Sequence, residues 1–183
     1  MTRLVLVRHG DAAAGWADDL DPGLSDLGQQ QAQRAADELE PMGPLPIVTS
    51  PLRRCQETAV PLARAWSAVP SVERRVGEIE SPDHDLSTRG PWLAEILGQE
   101  WSRLDADLRR WRDEVVGALL ELSDDTIVFT HFVAINVAIG AATNDDRVVC
   151  RRVANCSTTT LEHDGRSLAL VAEPSEAAHT EVL

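Results

Sequence analysis

The stretch Leu4-Val5-Leu6-Val7-Arg8-His9-Gly10-Asp11 decides the fold. Four consecutive apolar residues, two of them β-branched, predict a short strand that is buried on both faces. The run stops at a cation, an imidazole and a glycine, so the strand delivers Arg8 and His9 to its carboxyl end. In open α/β folds this edge of the sheet is where ligands bind. Gly10 allows the backbone to turn sharply and to approach a ligand closely.

The composition indicates one domain, residues 1–183, with an acidic surface. Its 183 residues, 43% of them hydrophobic, suit a single sizeable core. The formal net charge of −13 disfavours nucleic acid and anionic membranes as partners. No apolar run is long enough to span a bilayer. All 17 basic residues are arginines, so any anion site must be built from planar, bidentate guanidinium groups.

The cysteines and the amino-terminal segment indicate the cellular compartment of the protein. Cys55, Cys150 and Cys156 form an odd set without CxxC spacing, which argues against a disulfide framework and against a zinc site. We expect them to be small buried side chains in a reducing compartment. Met1, Thr2 and Arg3 lead directly into the first strand and leave no room for a signal peptide. The sequence therefore predicts a cytoplasmic protein.

Short apolar strands alternate with helical patterns along the chain. Ser50 and Pro51 have the residue types of an N-cap and a first helical position, and predict the start of the second helix. The alternation predicts an α/β fold, a three-layer α/β/α sandwich with a mostly parallel sheet and an antiparallel edge hairpin around Asp164-Gly165. The strands are expected at 4–7, 47–49, 71–76, 126–130, 157–162 and 167–172, and the helices at 26–40, 51–66, 92–101, 105–122 and 133–142.

Three of the predicted strands lead to basic residues that can face one point. The first ends at Arg8 and His9, the second is followed by Arg53 and Arg54, and the fourth ends at His131. Two arginines in the first turn of a helix oppose its dipole, which favours anions there. They fit if an anion occupies that helix end; alternatively, they only pair with nearby carboxylates.

Several motifs, in this order, resemble those of the histidine phosphatase superfamily, which has the phosphoglycerate mutase-like fold. The resemblance covers nearly the whole chain. It rests on Arg8-His9-Gly10, Leu24-Ser25-Asp26-Leu27-Gly28 with Gln31-Ala32, Ser50-Pro51-Leu52-x-Arg54 with Glu57-Thr58, Arg75-Val76-Gly77-Glu78-Ile79, Thr130-His131, and the stretch 155–160.

The resemblance implies a metal-independent phosphatase without a cofactor, in which His9 attacks phosphorus and becomes a phosphohistidine. A neutral imidazole can do this if its other nitrogen donates to a backbone carbonyl. Arg8 and Arg54 offer bidentate donors to the phosphate oxygens, and their charges bias His9 toward the neutral form. His131 adds a further donor when it is protonated. The register of the motif selects Arg54, and not Arg53, for the phosphate.

Further site residues follow from the same motifs. Gly10 and Asp11 complete the implied substrate-binding set. Glu78 is expected to protonate the leaving oxygen and then to activate water, which requires a raised pKa. The neighbouring Glu80 is the alternative proton donor, and both glutamates are solvated loop charges if neither acts.

The expected substrate is a small phosphorylated metabolite, such as a sugar phosphate. One alternative is a phosphatase that removes phosphate from phosphohistidine on a partner protein. The pair Asp11-Ala12 resembles the residues at this position in the small phosphatases of that kind in the superfamily. A phosphoglycerate mutase is a second alternative, although family mutases are longer. A phosphate-binding regulatory module without turnover is a third.

Two variable loops are expected to cover the site. They contain Trp16, His84, Arg89 and Trp92, each of which either selects substrate or merely packs at the surface. Phe132 follows His131 where the family usually has glycine, and a ring at this position is expected to narrow the pocket.

Overall fold

The computed structural model describes residues 1–15, 18–82 and 85–174. Strands and helices alternate through most of this part of the chain, as the apolar runs predict. The strands are β1 (Thr2–Arg8), β2 (Ile47–Thr49), β3 (Ser71–Val72), β4 (Thr126–Thr130), β5 (Thr158–His163) and β6 (Leu168–Ala172). The α-helices are α1 (Asp26–Leu39), α2 (Arg53–Ala65), α3 (Leu86–Leu97), α4 (Ala106–Leu120) and α5 (Phe132–Thr143).

The strands form one mixed sheet in the order β3-β2-β4-β1-β5-β6. The four strands from β3 to β1 are parallel, whereas β5 runs antiparallel to β1, and β6 antiparallel to β5. Gly165 turns the β5–β6 hairpin with a φ of 84°, a conformation that favours glycine. The mostly parallel sheet and the edge hairpin are both confirmed. Within the described residues, no helix combines the length and apolarity needed to cross a bilayer.

The two faces of β1 explain the three layers. Val5 and Val7 belong to the apolar cluster that joins the sheet to α1 and α2. Leu4 and Leu6 belong to the larger cluster that joins the other face to α3, α4 and α5. Because successive side chains of a strand point to opposite faces, Arg8 follows Leu4 and Leu6 toward the α5 side.

The strand predicted over 71–76 is much shorter in the structure. Only Ser71 and Val72 pair with β2, and the chain then forms a 3₁₀ turn over Arg74–Val76. The Glu73 carboxylate accepts the Arg75 N–H at 3.0 Å and also pairs with the Arg75 guanidinium. These local bonds stabilise the turn and end the strand.

The start of α2 also differs from the prediction. The helix begins at Arg53, and its N-cap is Leu52, without a side-chain hydrogen bond. The Ser50 hydroxyl instead accepts the Leu52 N–H at 3.2 Å before the helix begins. The prediction that Ser50 caps the helix with Pro51 as its first residue is therefore wrong by two positions.

The helix predicted over 92–101 lies earlier, at Leu86–Leu97, and a separate 3₁₀ turn covers Trp101–Arg103. Asp85 caps α3 by accepting the Ser87 N–H at 2.9 Å. Pro91, which directly precedes the predicted helix, is tolerated within the observed one. Trp92 packs against the core and does not roof the site.

Candidate active site

Three neighbouring parallel strands bring their carboxyl ends to one edge of the sheet. His9 follows β1 and donates its backbone N–H to Thr130 O at the end of β4, at 3.0 Å. The rings of His9 and His131 meet edge to face, with centroids 5.3 Å apart. Arg54 reaches the same point from the first turn of α2. We call Arg8, His9, Arg54 and His131 the strand-end cluster.

His9 is held with one ring nitrogen fixed. Its Nδ1 lies 2.7 Å from Gly10 O, and because a carbonyl only accepts, Nδ1 carries the proton in the neutral ring. Nε2 then has the free electron pair, and Arg54 Nε donates to it at 3.2 Å. Burial and the charges of Arg54 and Arg8 hold the pKa of His9 well below its usual value. The ring is thus neutral, with Nε2 as the nucleophilic atom.

The two adjacent arginines of α2 have different surroundings. Arg54 is 3% exposed and contacts His9. The Arg53 side chain is 66% exposed and pairs with Glu57 at 2.6 Å. The structure therefore places Arg54 in the cluster. Arg53 instead pairs with a surface carboxylate, which was the alternative that the sequence offered for both arginines.

Arg8 is a fully buried member of the cluster. Its Nη1 donates to Val153 O at 2.6 Å, and its guanidinium carbon lies 5.1 Å from the centroid of the Phe132 ring. Burial, with the Arg54 charge adding to it, lowers the pKa of Arg8 to about 10, although Glu78 opposes this shift. Phe132 is 1% exposed and belongs to the core. The expectation that its ring narrows the pocket is wrong, because the ring packs under Arg8.

Gly10 and Asp11 fix the turn after β1. A Cβ on Gly10 would lie 2.7 Å from Gly28 O, and a Cβ on Gly28 would lie 2.0 Å from Asp11 O, so both positions exclude larger residues. The Gly10 N–H donates to the Thr58 hydroxyl at 3.0 Å. The Asp11 carboxylate accepts the Ser25 hydroxyl at 2.5 Å. The Asp11 side chain is thus hydrogen-bonded to the residue that caps α1.

His131 is fully buried, and two side chains to which the sequence assigned no role in the site lie next to it. Its Nε2 lies 2.7 Å from Ser50 Oγ and 3.3 Å from Cys55 Sγ. Burial, with the positive charge of Arg54 and the neighbouring His9, holds the pKa of His131 well below its usual value. Because a neutral imidazole has a single N–H, its hydrogen-bond partners decide which nitrogen can donate to a ligand.

Ser50 and Cys55 both have a defined role in this arrangement. The Ser50 hydroxyl oxygen accepts the Leu52 N–H, and its own proton can be donated to His131 Nε2. The Cys55 thiol lies 3.3 Å from Thr130 O, to which it donates. The arrangement is consistent with a proton on Nδ1 of His131. The only sequence signal for Ser50 was its place in the motif before Arg54.

Glu78 and Glu80 differ sharply in exposure. Glu78 is 6% exposed, and its carboxylate oxygens accept the N–H groups of Ile79 at 3.0 Å and Val133 at 3.3 Å. Burial raises the pKa of Glu78, against the opposing effects of these N–H groups, Arg54 and Arg8. Glu80 is exposed. Of the two carboxyl groups, Glu78 thus has the environment that favours the protonated form.

A cleft opens beside Glu78, with about 550 Å³ of empty space that is partly open to solvent. Arg89 reaches it from the first turns of α3 and is 8% exposed. Arg89 Nη1 lies 3.5 Å from Asp19 O, so α3 and the segment after β1 meet over the cleft. Trp16 and His84 lie outside the described residues. We call this space the Glu78 cleft; it is lined by Leu20, Leu52, Glu78, Ile79, Glu80, Ser81 and Arg89.

Known proteins resemble this chain in sequence and fold. A glucosyl-3-phosphoglycerate phosphatase of Mycolicibacterium vanbaalenii is 32% identical over 152 residues, which are 80% of this chain and 66% of that protein. Phosphoserine phosphatase 1 of Hydrogenobacter thermophilus is 33% identical over 118 residues, 62% of this chain and 52% of that protein. The chain thus spans between half and two thirds of the length of these relatives.

Solved structures of known proteins also resemble this chain. A mycobacterial glucosyl-3-phosphoglycerate phosphatase in complex with VO3 superposes with a TM-score of 0.70 at 28% identity, covering 97% of this chain and all of that one. The sequence model of the histidine phosphatase superfamily, branch 1, matches residues 4–173. The strand-end arginines and histidines lie within this match, as does all of the six-stranded sheet except the first two residues of β1. The chain belongs to the histidine phosphatase superfamily, branch 1.

Proposed function

We propose that this chain is a phosphatase that hydrolyses small organic phosphomonoesters through a phosphohistidine on His9. The observation that carries the proposal is the geometry of the strand-end cluster. A neutral imidazole, with its proton on Nδ1 and its electron pair on Nε2, contacts the buried Arg54 guanidinium and a second buried imidazole, and the buried Arg8 precedes it in the chain. This arrangement suits the binding of a phosphate dianion and attack upon it.

In the first step, the phosphate is held by Arg8, Arg54 and His131, which supply donors to its oxygens. The Nε2 electron pair of His9 forms a bond to phosphorus, and the bond between phosphorus and the ester oxygen breaks. Protonated Glu78 gives its proton to that oxygen, so an alcohol leaves and a carboxylate remains. The raised pKa of Glu78 keeps this proton available.

In the second step, the Glu78 carboxylate takes a proton from water as the water oxygen bonds to phosphorus. The bond from phosphorus to Nε2 breaks, and its electron pair returns to His9. Inorganic phosphate and the starting protonation state result. Arg8 and Arg54 carry two positive charges that offset the phosphate dianion, which is the task of Mg²⁺ in kinases. We therefore expect turnover to persist in the presence of a chelator.

The Glu78 cleft supports a small metabolite over phosphohistidine on a protein surface. Arg89 and Asp19 come together over it, which suits a substrate that enters the cleft whole. The two relatives described above are a glucosyl-3-phosphoglycerate phosphatase and a phosphoserine phosphatase, both named for small metabolites. The three free cysteines suit a reducing compartment, and we expect the enzyme to act in the cytoplasm.

Hydrolysis of p-nitrophenyl phosphate tests the proposal. We expect turnover by the wild-type protein, loss of at least about 10⁴-fold in His9→Ala, and an acid-labile phosphoprotein on rapid quenching. His163→Ala is the matched control, because His163 is another buried histidine on β5, outside the cluster. A wild-type protein that binds phosphate but turns over neither this ester nor a panel of phosphorylated metabolites would be a binding module, contrary to the proposal.

A further inference from the structure

The turn after β1 contains two peptide units that side chains from other parts of the chain hold in place. The first unit joins His9 to Gly10. Its carbonyl accepts a hydrogen bond from Asn155 Nδ2 at 3.0 Å, and its N–H donates to Thr58 Oγ1 at 3.0 Å. Asn155 precedes β5, and Thr58 lies on α2. Because both polar groups of this peptide have a partner, its orientation is fixed.

The second unit joins Gly10 to Asp11 and contacts the imidazole ring of His9. Its carbonyl oxygen is the one that lies 2.7 Å from His9 Nδ1. Its N–H donates to Gln31 Oε1, also at 2.7 Å. A single peptide thus connects the ring of His9 with the side-chain amide of Gln31 through consecutive hydrogen bonds, each of which polarises the next.

The orientation of the Gly10–Asp11 peptide decides which ring nitrogen of His9 has the proton. With the carbonyl toward the ring, Nδ1 must donate, and the electron pair is on Nε2. If the peptide rotated by half a turn, its N–H would face the ring and would require the electron pair on Nδ1. The proton would then be on Nε2, where it prevents attack on phosphorus. Gly10 has no Cβ, which makes such a rotation easier than at other residues.

Gln31 is placed to oppose this rotation. It lies in the second turn of α1 and is half-buried. The Ser25 hydroxyl, which caps this helix, accepts the Gly28 N–H at 3.0 Å and donates to the Asp11 carboxylate. The start of α1 is therefore tied to the same residue whose N–H binds Gln31. The described residues that line the Glu78 cleft do not include Gln31, so it acts through the peptide.

We propose that Gln31 is a positioning residue of the active site. Its side-chain carbonyl holds the Gly10–Asp11 peptide in the orientation that keeps the proton of His9 on Nδ1 and the electron pair on Nε2. The effect on rate rests on the proposed phosphatase function, whereas the tautomer is a property of the unliganded protein. Gln31 belongs to a sequence motif to which the proposed mechanism assigns no other role.

Replacement of Gln31 by methionine tests the inference. Gln31→Met keeps the length of the side chain but leaves the Asp11 N–H without its acceptor. The ¹⁵N chemical shifts of the His9 ring, assigned by comparison with His9→Ala, should show a proton on Nδ1 in the wild type and a mixture of tautomers in Gln31→Met. The kcat/KM for p-nitrophenyl phosphate should fall by about 5- to 100-fold, the effect of one buried N–H that loses its partner. Binding of inorganic phosphate should not weaken, because Arg8 and Arg54 are unchanged.

Two further variants separate this role from a merely structural one. Gln31→Glu keeps an oxygen that accepts the same N–H, and should restore the wild-type tautomer and most of kcat/KM. Gln30→Met, at the preceding, exposed position of α1, is the matched control and should behave as the wild type does. A Gln31→Met protein that keeps the wild-type tautomer, or keeps the wild-type kcat/KM, overturns the inference. A wild type that has the expected tautomer but does not hydrolyse p-nitrophenyl phosphate would instead overturn the phosphatase proposal.

Discussion

The strand-end cluster and the Glu78 cleft adjoin each other but are built differently. Each side chain of the cluster is at most 3% exposed, and its members follow or end strands of the central sheet or start the next helix. The cleft is walled by loops and α3, and Leu20 in its wall is 49% exposed. In the proposed mechanism, the rigid part would bind the phosphate, which all substrates share, and the looser part would face the leaving group, in which they differ.

The difference between the cluster and the cleft should appear in the kinetics of substituted variants. A substitution in the cluster should slow all phosphomonoesters by a similar factor, whereas a substitution in the cleft should act according to the leaving group. Glu78 lies at the boundary and should show both effects. The predictions below test this division, beginning with the largest effect.

Glu78→Gln should slow the hydrolysis of alkyl phosphates by about 10²- to 10⁴-fold, the usual contribution of a general acid. With p-nitrophenyl phosphate, whose leaving group needs little protonation, the first step should remain fast while the second loses its base. Stopped-flow absorbance should then show a burst of one p-nitrophenolate per enzyme, followed by slow turnover. Glu80→Gln is the control, and a burst there instead would make Glu80 the acid.

The pH profile of the wild-type enzyme sharpens this assignment. Burial raises the pKa of Glu78, so kcat/KM for an alkyl phosphate should fall as the pH rises through that raised pKa, when the acid loses its proton. Burial and the arginines lower the pKa of His9, so the decline on the acid side should lie well below pH 6.5. An acid-side decline at or above pH 6.5 would show that His9 is not held neutral.

Arg54→Lys should reduce kcat/KM by about 10²- to 10³-fold for every substrate, because an ammonium keeps the charge but loses the planar fork. Arg53→Lys, one residue away, is the matched control and should change little, since that side chain is exposed and pairs with Glu57. Measurement of kcat/KM for an aryl phosphate and an alkyl phosphate shows whether the loss is the same for both substrates. Loss for one substrate alone would break the division between cluster and cleft.

Ser50→Ala should reduce kcat/KM by about 10-fold for all substrates, because His131 loses the hydroxyl that favours a proton on Nδ1. The ¹⁵N chemical shifts of the His131 ring report the tautomer directly and should change. Thr49→Val is the matched control, because Thr49 Oγ1 is buried without a hydrogen-bond partner among the described residues. An unchanged tautomer in Ser50→Ala would show that another group, such as Cys55, sets it.

The cluster was predictable from the sequence because its residues lie next to strong local signals. A buried apolar run precedes His9 and another precedes His131, and strands of one parallel sheet must end at one edge. The residues that orient the cluster were not predictable in this way. Ser50 contacts His131 across 81 positions of sequence, and no periodicity encodes such a pairing.

The cleft was harder to predict for a related reason. Its wall depends on where α3 begins: the helix is predicted to start after Pro91, whereas Asp85 caps the observed helix at residue 86. The presence of Arg89 in the roof was foreseen, but its burial beside Glu78 depends on the contact of α3 with residue 19. Phe132 was misjudged because a residue after a strand can face either the site or the core.

Phe132 provides the smallest and most specific test of the cluster. Phe132→Met keeps much of the volume but removes the ring face under the buried Arg8, and because the polarizable methionine sulfur replaces part of this contact, we expect a loss of about 0.5–1 kcal/mol. Phosphate binding should weaken by about 2- to 5-fold, by the same factor for every substrate, and Phe132→Tyr should bind as the wild type does. Isothermal titration with inorganic phosphate measures this directly. If Phe132→Met instead changes the preference between leaving groups, its ring acts on the cleft, and the cluster and the cleft are not separate.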